Sequence, residues 1–462
     1  MTRPFQICRM ILRGYQQFAN TDLDFTHPLT GEPASRICLI GRNGTGKTTV
    51  LQVLSRQLSF GFRDPGAVGL LCAFELKVGS RRVYVVRSGA AMVGQRTACF
   101  RADLSSRPGW ADEMAAAPDG VGALTDFRLD PADEAALLDE LQLRAGGTDL
   151  LIDARCESNT NSALGIADVP QTTVSDALGL FKEFPFYHEV SNQTVSQMWR
   201  VLVYLLKKRD NDRENFENLA ENLSKTKRQL IDEFDAVQPK PLHQLAKVWN
   251  RILGQAGLEL DETGANNPIQ LNDNLHAYIR LIESKQRIPY NKLSTGMRDF
   301  LFRLGHIYLL FLGGCVERGF LLVDEPENSL FPDFLYNLID DYGKATQGPG
   351  GHETTQMFFA THSPIIAAQF EPWARIFLDW DGTGHVVARK GHAPIGDDPN
   401  DLLTKDFELP NLMAKEGLAK WAEYLELRKR LRRASDPQEK DALLEQAMAL
   451  AASYDFSGAS ER

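Results

Sequence analysis

The stretch Gly41-Arg42-Asn43-Gly44-Thr45-Gly46-Lys47-Thr48-Thr49 decides how the rest of the chain is read, because it satisfies G-x-x-x-x-G-K-[ST] and its flanks supply the context that pattern needs. Residues 36–40 before it form a short apolar run that predicts a buried strand. Residues 48–54 after it place apolar side chains at helical spacing. Glycines at 41, 44 and 46 let the backbone curl so that successive N–H groups point inward at phosphate oxygens, and the positive end of the following helix adds to that field. Gly41, Asn43, Gly44, Thr45 and Gly46 would make the cradle. Lys47 would reach the β- and γ-phosphates and Thr48 would put its hydroxyl on Mg²⁺, with Thr49 a neighbour that has no metal role.

Composition bounds what this loop can belong to. The chain has 462 residues, 43% of them hydrophobic and 24% charged, which is enough to bury a large core. A formal net charge of −10 argues against a general nucleic-acid coat and leaves local basic patches open. The cysteines, at 8, 38, 72, 99, 156 and 315, include no C-x-x-C pair and no zinc-finger spacing, so a reducing cytosol is expected. The start Met1-Thr2-Arg3-Pro4-Phe5 lacks a signal-peptide core, and the longest apolar run, 307–316, is too short to span a bilayer. A cytoplasmic protein with no membrane partner is the expectation.

In chain order, residues 5–13 and 21–25 predict two strands ahead of the loop, with Arg13, Tyr15 and Phe18 able either to face a base or to pack in the core. Residues 73–87 alternate apolar and polar side chains around Gly79-Ser80, a hairpin signal. Residues 88–135 are rich in Gly, Ala, Pro and Asp and predict loops, followed by a short helical stretch over 131–143 and a strand over 150–154. A helical block runs from 195 to about 255, with Phe216, Leu219, Leu223, Leu230 and Phe234 as one apolar stripe. The pattern breaks at Pro239 and Pro241, so it predicts a lobe, not a long coiled-coil arm.

Chemistry returns at Leu293-Ser294-Thr295-Gly296, where small residues precede a helix running to Leu310. Gly319-Phe320-Leu321-Leu322-Val323-Asp324-Glu325-Pro326 is an apolar strand ending in two carboxylates, which strand alternation puts on different bearings. Asp324 can then hold magnesium through water, while Glu325 faces the attacking water as general base. Gln356 to Ala360 predicts a further buried strand carrying His362 past its C-terminal end, where ligands of open parallel sheets gather. The aspartates of Asp379-Trp380-Asp381-Gly382 belong to a hairpin turn, not to a metal site. The tail from 404 predicts two helices. Leu418, Trp421, Leu425 and Leu431 line the first, Ser435-Asp436-Pro437 caps the second with Leu443, Leu444, Ala447 and Leu450, and Arg428, Lys429, Arg430, Arg432 and Arg433 cluster at the first helix's end.

Phosphate loop, Leu293-Ser294-Thr295-Gly296, Asp324-Glu325-Pro326 and His362, in that order, resemble the ABC-type ATPase heads, with a signature that departs from Leu-Ser-Gly-Gly-Gln at Thr295 and Met297. Residues 324–332 and 360–364 look like the branch that holds the SMC proteins, the double-strand-break-repair ATPases, RecF and the OLD-type proteins. The short helical insertion and the tail look most like stand-alone ATPases of bacterial anti-phage systems, such as the Septu and retron-associated PtuA ATPases and the PARIS ATPase. The resemblance implies an α/β ABC-ATPase head with a mixed central sheet, a β-rich N-terminal part, an inserted helical lobe and a C-terminal helical hairpin. Its parts would be residues 1–87 and 285–400 for the two halves of the head, 88–284 for the insertion and 401–462 for the hairpin.

It further implies ATP and Mg²⁺ as cofactors and an ATP-dependent head-to-tail dimer. In it Ser294 and Gly296 of one chain contact the γ-phosphate bound by Lys47 of the other, and Glu325-assisted hydrolysis, with His362 at the γ-phosphate, reopens the dimer. A separate nuclease or toxin effector would be the partner. Two alternatives stay open, a RecF-like repair ATPase that meets nucleic acid through local basic patches and an ATP-bound scaffold with little turnover. Gln193 and Gln197 are the candidates for the glutamine such heads place near magnesium.

Overall fold

The computed structural model describes residues 5–58, 71–78, 81–88, 98–103, 149–155, 187–190, 195–238, 240–261, 278–288, 292–312, 318–347, 355–396, 398–409, 414–454 and 456. They fall into two compact units, Met1–Asp397 and Asp398–Arg462.

The larger unit is built on a seven-stranded sheet and a five-stranded sheet. Strands β1 (Phe5–Tyr15) and β2 (Phe18–Asp24) form a hairpin, and β3 (Arg36–Gly41) leads into the glycine loop. Then follow β4 (Leu71–Val78), β5 (Arg81–Ser88), β6 (Ala98–Asp103), β7 (Asp149–Arg155), β8 (Tyr187–Val190), β9 (Leu258–Asp261), β10 (Tyr278–Leu281), β11 (Arg287–Ile288), β12 (Arg318–Asp324), β13 (Gln356–Thr361), β14 (Arg375–Trp380) and β15 (Val386–Lys390). The order β15-β14-β3-β13-β12-β7-β8 makes the central sheet, and β2-β1-β4-β5-β6 makes the second, antiparallel one. Every neighbouring pair in the central sheet is parallel except β14 with β15, so the sheet is mixed, as expected.

Parallel strands need long crossovers, which is why strands 36–41 and 356–361 can be neighbours. All six residues of β13 are buried, the continuous pattern of a strand covered on both faces. Phe358 meets Phe25 edge to face at 5.3 Å, and complete burial of each such ring is worth about 1.5–3 kcal/mol. Gln356 is the polar exception, and its amide is fully used: Nε2 donates to the carbonyls of Ile7 (2.9 Å) and Ala34 (2.8 Å), and Oε1 accepts from Ile7 N–H (2.8 Å). One side chain thus ties β1 to the middle of the central sheet. Tyr15 and Phe18 are buried members of this core, so packing is their role, and nothing is described of the Arg13 side chain.

Several expectations are corrected. The loop-rich stretch 88–135 contains β6, which extends the β4–β5 hairpin. The strand expected over 150–154 is β7, which joins the central sheet beside β8, and β9 and β10 pair with β11 in a three-stranded sheet; β8, β9 and β10 were not expected because short strands without alternation give little local signal. The helical stretch 131–143 and Gln193 lie outside the described residues, as does the Gln197 side chain. The single stripe of the helical lobe is broken. A helix ends at Glu217, and a new one starts at Lys227 behind a capping box of Thr226 and Gln229. Phe216 and Phe234 pack at 5.6 Å, whereas Leu219 and Leu223 lie on the connection and are exposed.

In the smaller unit, helices Lys415–Arg433 and Pro437–Tyr454 form the expected pair, preceded by Pro399–Lys405. Leu443 and Ala447 are buried there, whereas Leu444 and Leu425 are exposed. Trp421 meets Phe456 at 5.0 Å. No helix among the described residues is long and apolar enough to cross a membrane.

Candidate active site

Three adjacent parallel strands bring the motifs together. Leu39 of β3 pairs with Ala360 of β13, and Ala360 pairs with Asp324 of β12, so the three strands end in one row. The segments that leave this row are the glycine loop, His362 and Glu325. The edge is the carboxyl end of the sheet, where an open α/β fold receives ligands.

The loop has the backbone its glycines predict. Gly44 and Gly46 stand at φ +84° and +92°, in the left-handed region. A Cβ on Gly46 would fall 2.3 Å from Gln17 Nε2 and 2.5 Å from Phe18 Cζ. Gln17, which the sequence did not single out, lies at the tip of the β1–β2 hairpin over the loop. Its Nε2 donates to the Gly44 carbonyl (3.4 Å), and its own carbonyl accepts from Val386 N–H (2.9 Å). Thr45 is fully buried and its hydroxyl donates to Arg42 carbonyl oxygen (2.9 Å), which closes the loop from inside. Asn43, Gly44 and Thr48 are exposed, and Thr49 is half-buried.

Lys47 starts the helix Lys47–Leu58 and is buried, 5% exposed. Its Nζ donates to the carbonyls of Gly41 (2.9 Å) and Arg42 (3.3 Å) and stands 3.4 Å from His362 Nδ1. Burial pushes the ammonium down to about 8, against the upward pull of Asp324, Glu325 and Glu327. On its other side the imidazole places Nε2 3.6 Å from Glu325 Oε1. His362 titrates below its ordinary value, mainly through burial and then through Lys47, while Glu325 and Glu327 pull upward.

Asp324 is the last residue of β12, and Glu325 already lies outside the strand. Its bearing is therefore set by a left-handed backbone, φ +45°, and not by strand alternation, which corrects the sequence reading. Glu325 N–H donates to the Ala360 carbonyl (2.8 Å), fastening the turn to β13. Glu327 was also missed: its Oε1 accepts from Thr361 Oγ1 (2.6 Å) and from His362 N–H (2.8 Å). The acidic run of the turn was the available signal, but a carboxylate in a turn has no local pattern that points to a strand 34 positions away.

The signature residues open the next helix. Ser294 accepts from Met297 N–H (3.3 Å) and so caps the helix Thr295–Leu312. Gly296 packs on the turn after β12, where a Cβ would lie 1.9 Å from the Ser329 carbonyl oxygen.

A magnesium nucleotide fits this donor set. Gly44 and Gly46 hold the loop in a left-handed curl beneath Gln17 and Phe18, where a Cβ at Gly46 has no room, and a buried cation, Lys47, stands beside it. Thr48, with its exposed side chain, and Asp324 are the residues that would hold Mg²⁺, which when bound would neutralise phosphate charge.

Residues 156–367 match a family model described as an AAA ATPase domain. The matched segment includes Ser294, Gly296, Asp324, Glu325 and His362 and stops short of the glycine loop. No curated protein matches the chain. Among solved structures, the chain is similar to an SMC head bound to the C-terminal winged-helix domain of ScpA. The TM-score is 0.42 with 10% identity, covering 84% of this chain and 98% of that one. It is also similar to the SMC head domain from Thermotoga maritima, at a TM-score of 0.39 with 10% identity, covering 84% of this chain and 100% of that one.

Proposed function

We propose that the chain binds and hydrolyses ATP as an ABC-type, SMC-like head. One observation carries this reading. Lys47, His362 and Glu325, supplied by the segments that follow three different strands, form a line in which each neighbour stands within 3.4–3.6 Å of the next. Lys47 meets the phosphates, and Glu325 takes a proton from the attacking water while His362 donates towards the charge that develops on the γ-phosphate. Phosphate release from Mg·ATP by the purified chain tests the reading. Turnover that Glu325→Gln leaves unchanged rejects the catalytic assignment.

The finer reading is a subunit that works in pairs. Ser294 is exposed at a helix N-terminus, which supports its offering donors to a nucleotide on a second copy rather than to its own. ATP closes such a head-to-tail dimer and hydrolysis opens it. Light scattering of the Glu325→Gln variant with and without ATP checks this, and a monomer under both conditions rejects it. The partner we propose is a separate nuclease or toxin of an anti-phage system, with this chain as its sensor or scaffold. A compact helical lobe in place of a long coiled-coil arm supports that reading. Pull-down from the native host with and without ATP tests it, and recovery of recombination proteins would favour a repair ATPase.

A further inference from the structure

We propose that Glu327 is a positioning residue for His362, fixing the end of β13 to the turn after β12 so that the imidazole stays between Lys47 and Glu325. The proposal rests on the hydrolytic reading given above.

The turn itself does not need this carboxylate. It is closed by backbone bonds, Asn328 N–H to the Glu325 carbonyl (3.1 Å) and Leu330 N–H to the Glu327 carbonyl (3.0 Å). The side chain instead crosses to β13. Its Oε1 takes the Thr361 hydroxyl and the His362 amide, and Thr361 Oγ1 in turn accepts from Ser363 N–H (2.9 Å). Three consecutive residues, 361 to 363, therefore hang on one oxygen. The other oxygen, Oε2, is buried and has no hydrogen-bond partner among the described residues, so the anchor's whole bonding is directed at the histidine segment.

Hydrogen bonds to an ionised acceptor are short and strong, as the 2.6 and 2.8 Å distances here are. The His362 ring has little tolerance for movement. It reaches Lys47 at 3.4 Å and Glu325 at 3.6 Å, and a displacement of about 1 Å is enough to cost an aligned site on the order of a hundredfold in rate. Ser363 also caps the helix Pro364–Ala367, its side chain accepting from Ile366 N–H (3.4 Å), so the segment is held from both directions.

The test uses the full chain as wild type, Glu327→Ala and Glu327→Gln, with kcat and KM for ATP and hydrogen exchange of the amides of residues 361–363. The amides of β13 before Thr361, residues 356–360, serve as internal reference. Glu327→Ala is expected to lower kcat by about thirtyfold with KM within about twofold, and to speed exchange at His362 while β13 stays protected. Glu327→Gln keeps an oxygen that accepts both bonds and is expected to recover kcat to within about threefold. Unchanged kcat and exchange in Glu327→Ala would overturn the proposal. So would a Glu327→Gln variant as slow as Glu327→Ala, or exchange that rises throughout β13. If the wild type does not turn over ATP but His362 alone loses protection in Glu327→Ala, the hydrolytic reading fails and the anchoring stands.

Discussion

Lys47 Nζ lies 3.4 Å from His362 Nδ1, although 315 positions of sequence separate the two residues. The ring meets Lys47 through Nδ1 and Glu325 through Nε2, and it also bonds the Gly41 backbone. Burial and Lys47 both hold the ring below its ordinary value, so the neutral form prevails near pH 7. The arrangement puts a neutral polar ring between Lys47 and Glu325 without placing a second full cation beside Lys47.

Glu325→Gln removes the proposed base and keeps the turn, whose link to β13 is made by the backbone N–H of residue 325. Steady-state phosphate release should fall by about 10²–10⁴-fold, while nucleotide affinity stays within a few-fold of wild type. Equal loss of affinity and rate would mean that Glu325 only shapes the site.

Lys47 makes two alkaline effects run in opposite directions. Its value is lowered to about 8 in the folded chain, from an ordinary 10.5. Between these the unfolded chain holds a proton that the folded chain has lost, so this residue's contribution makes the nucleotide-free protein more stable as pH rises through that window. Affinity for phosphate should do the reverse and approach a tenfold loss per pH unit above about 8. Calorimetric titration of a non-hydrolysable ATP analogue from pH 7 to 9.5 would check this. The slope should vanish in Lys47→Ala, and a slope retained there would assign the titration to another group.

Gly296 and Gly44 should fail differently on mutation to Ala. A Cβ at 296 would meet the backbone of Ser329 at 1.9 Å, so the helix start or the turn must move, at about 1–3 kcal/mol. At Gly44 nothing lies within 4 Å, and the penalty is that of a left-handed φ of +84°, about 1–2 kcal/mol. Denaturant unfolding should show both losses. Only Gly296→Ala should also slow turnover without weakening nucleotide binding to Lys47, since Ser329 continues the turn that carries Glu325.

Asp341 is buried beside Arg251, and burial raises its carboxyl from its ordinary value despite that partner. The ionised side chain is thus a net cost at neutral pH. Asp341→Asn should change stability by less than about 1 kcal/mol, while Arg251→Ala, which leaves the charge with Asp340 as neighbour, should lose about 2–3 kcal/mol. Thermal unfolding of the two variants side by side would decide, and the opposite order would show that the pair is stabilising as a whole.

The elements that could be read from sequence are those whose physics is local. The glycine loop depends on backbone freedom at Gly44 and Gly46, the N-cap on one hydroxyl at Ser294, and β12 and β13 on unbroken apolar runs. Leu219 and Leu223 misled because helical spacing continues across a connection whose capping residues, Thr226 and Gln229, end the regularity. β6 and β8 were hidden because a short strand is defined by its partners, whereas the apolar run of β7 was legible over 150–154.

By itself, then, the sequence determined which side chains the proposed phosphate chemistry would draw on: Lys47, Thr48, Asp324, Glu325 and His362. Only the tertiary structure decided that Lys47, His362 and Glu325 meet, because the pairing of Leu39 with Ala360 and of Ala360 with Asp324 sets three strand ends level. It also decided what holds them. Gln17 on Gly44 and Glu327 on His362 act across 27 and 35 positions of chain, a reach at which no local periodicity or spacing constrains the partner.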